Sequence, residues 1–250
     1  MKKSSPPLQI MKTHHSHQNC HSTGFTLVEM LVVIAIIAIL AAILLPALGS
    51  AKNRAKIVQA KTEMSDLEAA INQYEAEYTR PPAPKYVEVS SSASIPDFTF
   101  GTTGVQGYSG TPIRTGIASG ETNNAVVMAI LLDRETDASG NPTANAGHVR
   151  NPRGLVLFNG KESGSATKGG IGPDLVFRDP WGNPYIITLD MNEDNMCQDG
   201  FYYPLTKGAS PLLVRKSVMI WSLGPDGKAN PNRSVGPNGG ENKDNVLSWK

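Results

Sequence analysis

Residues 24–48 read GFTLVEMLVVIAIIAILAAILLPAL, and the rest of the chain is best read outward from them. Positions 30–48 form a run of 19 residues with no charge and no strongly polar side chain. An α-helix rises about 1.5 Å per residue, so the run spans roughly 28 Å, close to the hydrocarbon core of a bilayer. Lys2, Lys3 and Lys12 precede it, and no acidic residue occurs before Glu29. That asymmetry predicts a cytoplasmic N-terminus and a C-terminal body sent outward. A secretory signal peptide has a shorter apolar region with a small-residue cleavage site behind it. Here the run is long, and the small residue, Gly24, stands in front. A plain single-pass anchor is the other reading. Glu29 speaks against it, because an ionisable group near the start of an apolar helix is costly and marks function.

The string Gly24-Phe25-Thr26-Leu27-Val28-Glu29-Met30, followed by the apolar run, resembles the type III signal of type IV pilins and type II secretion pseudopilins. The resemblance implies that a membrane prepilin peptidase cuts between Gly24 and Phe25, N-methylates Phe25 and leaves the apolar run in the mature protein. It implies that Glu29 faces the terminal amine of a neighbouring subunit and sets the register of assembly. Residues 1–24 are then a discarded leader. Its cluster of His14, His15, His17, Cys20 and His21 has a metal-binding composition, but no scaffold is visible around it. Initiation at Met1 or at Met11 is equally compatible with this. Of two cysteines, only Cys197 would remain after the cut, so no internal disulfide is expected.

Beyond residues 25–50, read as a membrane and filament-core helix, the composition changes. Charges arrive from Lys52 onward, yet Ile57, Ala60, Met64, Leu67, Ile71, Tyr74 and Tyr78 recur at spacings of three and four. That is the seam of an amphipathic helix over 51–80, expected to lie on the chain's own sheet. Pro46 is expected to kink the helix, and Arg80-Pro81-Pro82-Ala83-Pro84 ends it. Within a globular part at 51–250, residues 81–170 read as a loop-rich insertion with short weak strands and one short helix at Asn123–Leu132. Runs at 175–177, 185–189 and 217–221 read as strands of an antiparallel meander within 171–250. The fold class is therefore α+β: a long N-terminal helix on a small antiparallel sheet with long irregular loops, as in type IV pilin-like proteins.

Two C-terminal markers narrow the resemblance. Asp179-Pro180-Trp181-Gly182 is similar to a turn of the major, G-type pseudopilin of type II secretion, and its Pro and Gly impose a tight turn. Ser222-Leu223-Gly224-Pro225-Asp226-Gly227-Lys228, with Asp244-Asn245-Val246, is similar to the calcium loop of the same proteins. The implied ligands are Asp226, Asp244, Asn245 and the carbonyls of Leu223 and Val246, with Ser222 weaker; hard oxygen donors suit Ca²⁺. The long neutral loop between the two arms, and Asn245 where aspartate is common, depart from that pattern. A metal-free turn closed by Trp249 is the competing reading. Asp190-Met191-Asn192-Glu193-Asp194 opens like an EF-hand loop, but Asn195 and Phe201 occupy the positions that need glycine and glutamate, so it reads as a polar turn.

Lys plus Arg number 23 against 22 Asp plus Glu, which gives no basic excess for nucleic acid. Past the leader, His148 is the only histidine, and no nucleophile or phosphate loop accompanies it. The expectation is a non-enzymatic pseudopilin, anchored in the inner membrane with its body in the periplasm. It would polymerise with itself and meet the prepilin peptidase, minor pseudopilins, an inner-membrane assembly platform and membrane lipid. A type IV pilin of a surface fibre and a membrane-tethered binding module are the alternatives.

Overall fold

The computed structural model describes residues 24–90, 97–102, 123–206 and 212–250. The chain forms two compact units, one ending at Leu48 and one running from Gly49 to Lys250. The leader cluster lies outside the described residues.

Helix α1 spans Leu27–Tyr78 and its assignment runs unbroken through Pro46. In the first unit nearly every apolar side chain is exposed, from Leu27 through Ile34 and Ile39 to Leu48. The helix is long and apolar enough to cross a membrane. So much contiguous apolar surface is not stable in water and calls for lipid or partner helices.

In the second unit α1 becomes one wall of the core. Ala60, Met64, Leu67, Ile71 and Tyr74 are fully buried, while Ile57 and Tyr78 pack at the margins. This is the seam that the three-four spacing predicts, and it lies on a sheet. Strands β1 (Phe98–Phe100), β4 (Ile186–Leu189), β5 (Val218–Ser222) and β6 (Val246–Leu247) pair antiparallel in the order β1-β4-β5-β6. The register sets Phe98 opposite Leu189 and Ile187 opposite Ile220. Successive strand side chains point to opposite faces. Phe98, Phe100, Ile187, Leu189, Val218 and Ile220 accordingly share the core with α1. Ile186, Trp221 and Leu247 join a second cluster with Phe201, Tyr202 and Leu205 around the short helix α4 (Tyr202–Thr206). With both faces covered, β4 and β5 are buried end to end rather than alternating.

The expected meander is corrected in one strand. The run at 175–177 yields β3 (Phe177–Arg178), which pairs with β2 (Gly170–Ile171) in a separate hairpin. Only an isolated bridge, Arg178 to Pro184, ties β3 toward β4. Pro180 and Pro184 flank the intervening turn and lack the N–H groups that a continued ladder needs. The other two strands of the sheet are instead β1 and β6, three and two residues long and too short to stand out in the sequence.

The segment before β2 contributes side chains to the core. After a short helix α2 (Lys85–Ser90), helix α3 (Ala125–Leu131) buries Val127, Met128, Ala129, Ile130 and Leu131 completely. Two asparagines stand at its start, with Asn124 at the N-cap position. Asn123 Oδ1 accepts the Ala125 N–H at 2.6 Å, while Asn124 turns inward, donating to the carbonyls of Phe177 and Tyr185 at 2.8 Å each and accepting from the Phe177 N–H at 3.0 Å. Tyr74 donates to the Arg150 carbonyl at 2.5 Å, and Arg150 pairs with Glu88, so this segment is clamped to the end of α1.

Candidate functional site

The first site is the head of α1. Gly24, Phe25 and Thr26 precede the helix in extended or irregular backbone, and Phe25 is 74% exposed. A Cβ on Gly24 would meet nothing among the described residues, so the local fold does not require glycine there. Glu29 Oε2 accepts from the Thr26 N–H at 2.8 Å and from the Thr26 hydroxyl at 2.7 Å. The Glu29 N–H is 3.2 Å from Thr26 Oγ1. This reciprocal arrangement is a capping box, in which Thr and Glu three positions apart satisfy each other's orphan donors at a helix start. The spacing was present in the sequence, in Thr26-Leu27-Val28-Glu29, but reading Glu29 only for its partner across subunits passes over it. Both contacts from Thr26 to the carboxylate fall on one oxygen.

The second site is the C-terminal loop. Gly224 sits at φ +69°, and a Cβ there would lie 2.2 Å from the Asp244 carbonyl, so the two arms of the loop approach as closely as only glycine permits. The structure thus brings Leu223–Asp226 against Asp244–Val246. The Asp226 N–H points to Asp244 Oδ2 at 3.4 Å. Burial, and next the charge of Asp226, push the Asp244 carboxyl above its ordinary range. Asp244 Oδ1 and Asn245 Oδ1 are buried with no hydrogen-bond partner among the described residues. Asn245 donates its Nδ2 to the Tyr202 hydroxyl at 2.7 Å, which orients the amide. Val246 and Leu223 are buried where β6 meets the end of β5. Ser222 is excluded from this group: its hydroxyl donates to Asp179 Oδ2 at 2.6 Å and accepts from the Gly224 N–H at 3.0 Å. Trp249 packs edge-to-face on Tyr202 with ring centroids 5.5 Å apart.

Two orphaned buried oxygens beside a second carboxylate are the donor pattern of a hard cation such as Ca²⁺. Among the described residues no three His, Cys, Asp or Glu side chains converge, so a metal here would rest on two carboxylates, an amide and carbonyl oxygens. The long connection between the arms is itself closed. Asn242 Oδ1 accepts the Asn230 N–H at 2.7 Å, and Asn242 Nδ2 donates to the carbonyls of Asn230 and Gly236 at 2.9 and 2.8 Å. This long connection is therefore a folded loop that leads into Asp244.

The residue that braces this loop opens the Asp-Pro-Trp-Gly turn, and its link to the loop is not legible in the sequence. Asp179, fully buried, accepts at Oδ1 from the N–H groups of Trp181 and Asn183, both at 2.9 Å, and at Oδ2 from Ser222. Asn183 in turn donates to the Gly224 carbonyl at 3.0 Å. Burial raises the Asp179 carboxyl despite these donors. Gly182, at φ +100°, lies where a Cβ would be 2.4 Å from the Thr167 carbonyl. The Asp-Pro-Trp-Gly turn and the C-terminal loop are thus one hydrogen-bonded unit. Trp181 lies half-buried at the core edge, with the Lys56 ammonium 5.8 Å from its ring.

The remaining candidates are structural. In the 190–195 turn, Asp190 Oδ2 accepts from the Asn195 N–H at 2.7 Å and Asp194 Oδ1 from the Met196 N–H at 2.8 Å, so these carboxylates cap their own loop. His148 lies with Nδ1 2.8 Å from Asp133 and Nε2 3.3 Å from Glu135. The Asp133 hydrogen bond raises its pKa, and the two contacts tie the 145–148 turn to residues 133–135. Cys197 is buried and free.

Comparison with known proteins bears on the first site. The prokaryotic N-terminal methylation motif matches residues 20–45. The type II secretion system core protein G of Pseudomonas aeruginosa is 39% identical over 57 residues, covering 23% of this chain and 40% of that protein. The match thus spans less than half of the relative's length. No solved structure matches. The resemblance to type IV pilin-like proteins, and to a G-type pseudopilin in particular, is supported by both matches.

Proposed function

We propose that the chain is a structural, non-enzymatic pseudopilin subunit that polymerises into a periplasmic filament of a type II secretion-like system. The observation that carries this is the head of α1: a glycine that the local fold does not need, a hydrophobic Phe25, and a carboxylate opening a bare apolar helix. The prepilin peptidase cuts between Gly24 and Phe25 and methylates the Phe25 amine. The N-terminus stays cytoplasmic, the apolar half of α1 lies in inner-membrane lipid, and the body faces the periplasm. Minor pseudopilins and an inner-membrane platform complete the assembly.

Within that function Glu29 has two partners in turn. Alone in lipid, its charge is held by the two donors of Thr26. In the filament it meets the Phe25 ammonium of a neighbour. An ion pair at low dielectric adds little net stability over apolar packing, yet leaving either charge unpaired is costly. Glu29 therefore sets which axial offset is allowed. In the C-terminal loop, Asp226, Asp244 and Asn245, with carbonyls of Leu223 and Val246, hold Ca²⁺, which neutralises the paired carboxylates and fixes β6 against β5. Asp179 and Asn183 position the loop for it.

Intact-mass measurement of the membrane-extracted protein, co-produced with a prepilin peptidase, tests the processing. The expected product begins at an N-methylated Phe25, and Gly24→Val blocks it. A product that keeps residues 1–24, or one cut behind the apolar run, overturns the reading.

A further inference from the structure

Cations crowd the stretch of α1 that follows the apolar run. Lys52, Arg54 and Lys56 come soon after Leu48, and no acidic residue occurs between Glu29 and Glu63. At a rise of about 1.5 Å per residue they stand roughly 6–12 Å beyond the run. The polar layer flanking a bilayer's hydrocarbon core is about 5–8 Å deep, and lysine and arginine stems reach across the difference. Lys52 and Lys56 share one side of the helix, and Arg54 lies roughly opposite. The helix gains nothing from them internally. No carboxylate lies three or four positions from any of the three, and Lys52 with Lys56 is a like-charged pair four apart, which disfavours the helix. Lys52 and Arg54 are exposed, and neither has an ion-pair partner among the described residues. Nor does membrane topology call for them. The Lys/Arg excess belongs on the cytoplasmic side, and the lysines that meet that need here, Lys2, Lys3 and Lys12, lie in the leader ahead of the proposed cut.

The body adds matching groups at the same level of α1. Lys56 Nζ lies 5.8 Å from the ring centroid of Trp181, which is half-buried at the core edge. A lysine beside a tryptophan is the pairing that occupies a water–lipid interface, with the indole at headgroup level. The segment carrying the exposed Lys168 packs on the same turn, since a Cβ on Gly169 would lie 2.7 Å from the Asp179 carbonyl. Asn53 and Ile57 share a cavity of about 290 Å³ with the exposed Lys243. Asp244 lines that cavity too, and Asp226 stands beside it. These two acids only partly offset the cations, and a calcium ion held between them would cancel that offset.

We propose that this end of the Gly49–Lys250 unit docks on the anionic phospholipid headgroups of the outward leaflet, with Lys52 and Arg54 on the phosphates and Trp181 at the interface. This docking presupposes the membrane-spanning reading of α1 proposed above. Each basic side chain near an anionic surface strengthens attachment about fivefold, and salt screens the effect. A subunit held this way keeps its body close to the bilayer until assembly lifts it out.

The test uses the full chain, co-produced with a prepilin peptidase and reconstituted into vesicles of phosphatidylcholine, alone or mixed with phosphatidylglycerol. Quenching of tryptophan emission by lipids brominated near the headgroup is measured, and the part due to Trp181 is taken by difference from Trp181→Phe. Phosphatidylglycerol is expected to raise that quenching about twofold or more, and added salt to reverse the rise. The double variant Lys52→Gln/Arg54→Gln returns to the phosphatidylcholine value, whereas Lys85→Gln, beyond the end of α1, behaves as wild type. Equal quenching in both vesicles, or a phosphatidylglycerol effect that the double variant keeps, overturns the proposal. Inorganic phosphate reproducing the effect on phosphatidylcholine overturns it as well, because the cations then bind a free anion. Lipid-indifferent quenching combined with filament loss in the double variant assigns the cations to a neighbouring copy instead and also overturns it. A chain that floats with neither vesicle defeats the membrane reading itself, whereas one that floats with both and is quenched equally defeats the docking alone.

Discussion

Asp179 shows how one side chain can join two stretches that look independent in sequence. Its carboxylate gathers Trp181, Asn183 and Ser222 in a fully buried site. Replacing it with alanine leaves those donors unsatisfied, at about 1–3 kcal/mol for each one that finds no water. Asp179→Ala should lower unfolding stability by about 2–4 kcal/mol in a denaturant titration. On the calcium reading proposed for the C-terminal loop, it should also weaken binding at Asp226 and Asp244, because Ser222 and Gly224 lose their brace. The turn itself was legible from its Pro and Gly. Its link to the loop was not, since 43 positions separate Asp179 from Ser222 and nothing local marks them as partners. A second residue-scale expectation concerns pH. Burial pushes both Glu75 and Asp97 up to about 7. Their native forms therefore bind protons that the unfolded chain, with ordinary carboxylates near 4, has already released. Stability from this source is full at pH 4 and is lost as pH rises through 7. In chelator, the thermal midpoint should fall between pH 5 and 7.5, and Glu75→Gln should flatten that slope. A midpoint rising with pH over that range would contradict the assignment.

Helix α1 was the element most open to reading, because one repeating spacing serves its whole second half. Leu67 and Ile71 sit at the centre of that seam with no exposure. Leu67→Ala removes buried methyl groups from a site walled by the sheet, and about 2–5 kcal/mol of stability should go with them, read by urea unfolding of the full chain in detergent. Lys52→Ala, on the exposed side, should leave the midpoint within about 0.5 kcal/mol. The sheet was only partly legible. β4 and β5 announce themselves as β-branched and aromatic runs, whereas β1 and β6 are three and two residues long and draw their identity from the strands they meet. α3 was visible as a short apolar helix. That it fills the core beside Phe177 was not, because Asn124's three hydrogen bonds to Phe177 and Tyr185 join positions more than fifty apart.

At the scale of the molecule, two units answer to two environments. The Gly49–Lys250 unit buries most of its described large apolar residues internally, around α1 and around Trp221. The apolar half of α1 satisfies none of its own, which leaves lipid and neighbouring helices to do so. Glu29 stands at the start of that half, and in the proposed filament its carboxylate fixes how one copy docks on the next. The most direct test is filament formation and cargo export in cells carrying the assembly machinery, comparing wild type with Glu29→Ala at equal membrane levels and equal N-terminal processing. The expected result is at least a tenfold loss of filaments, with export falling alongside, while the subunit remains folded and anchored. Filaments and export undiminished in Glu29→Ala would contradict it and return the helix to the role of a plain tether.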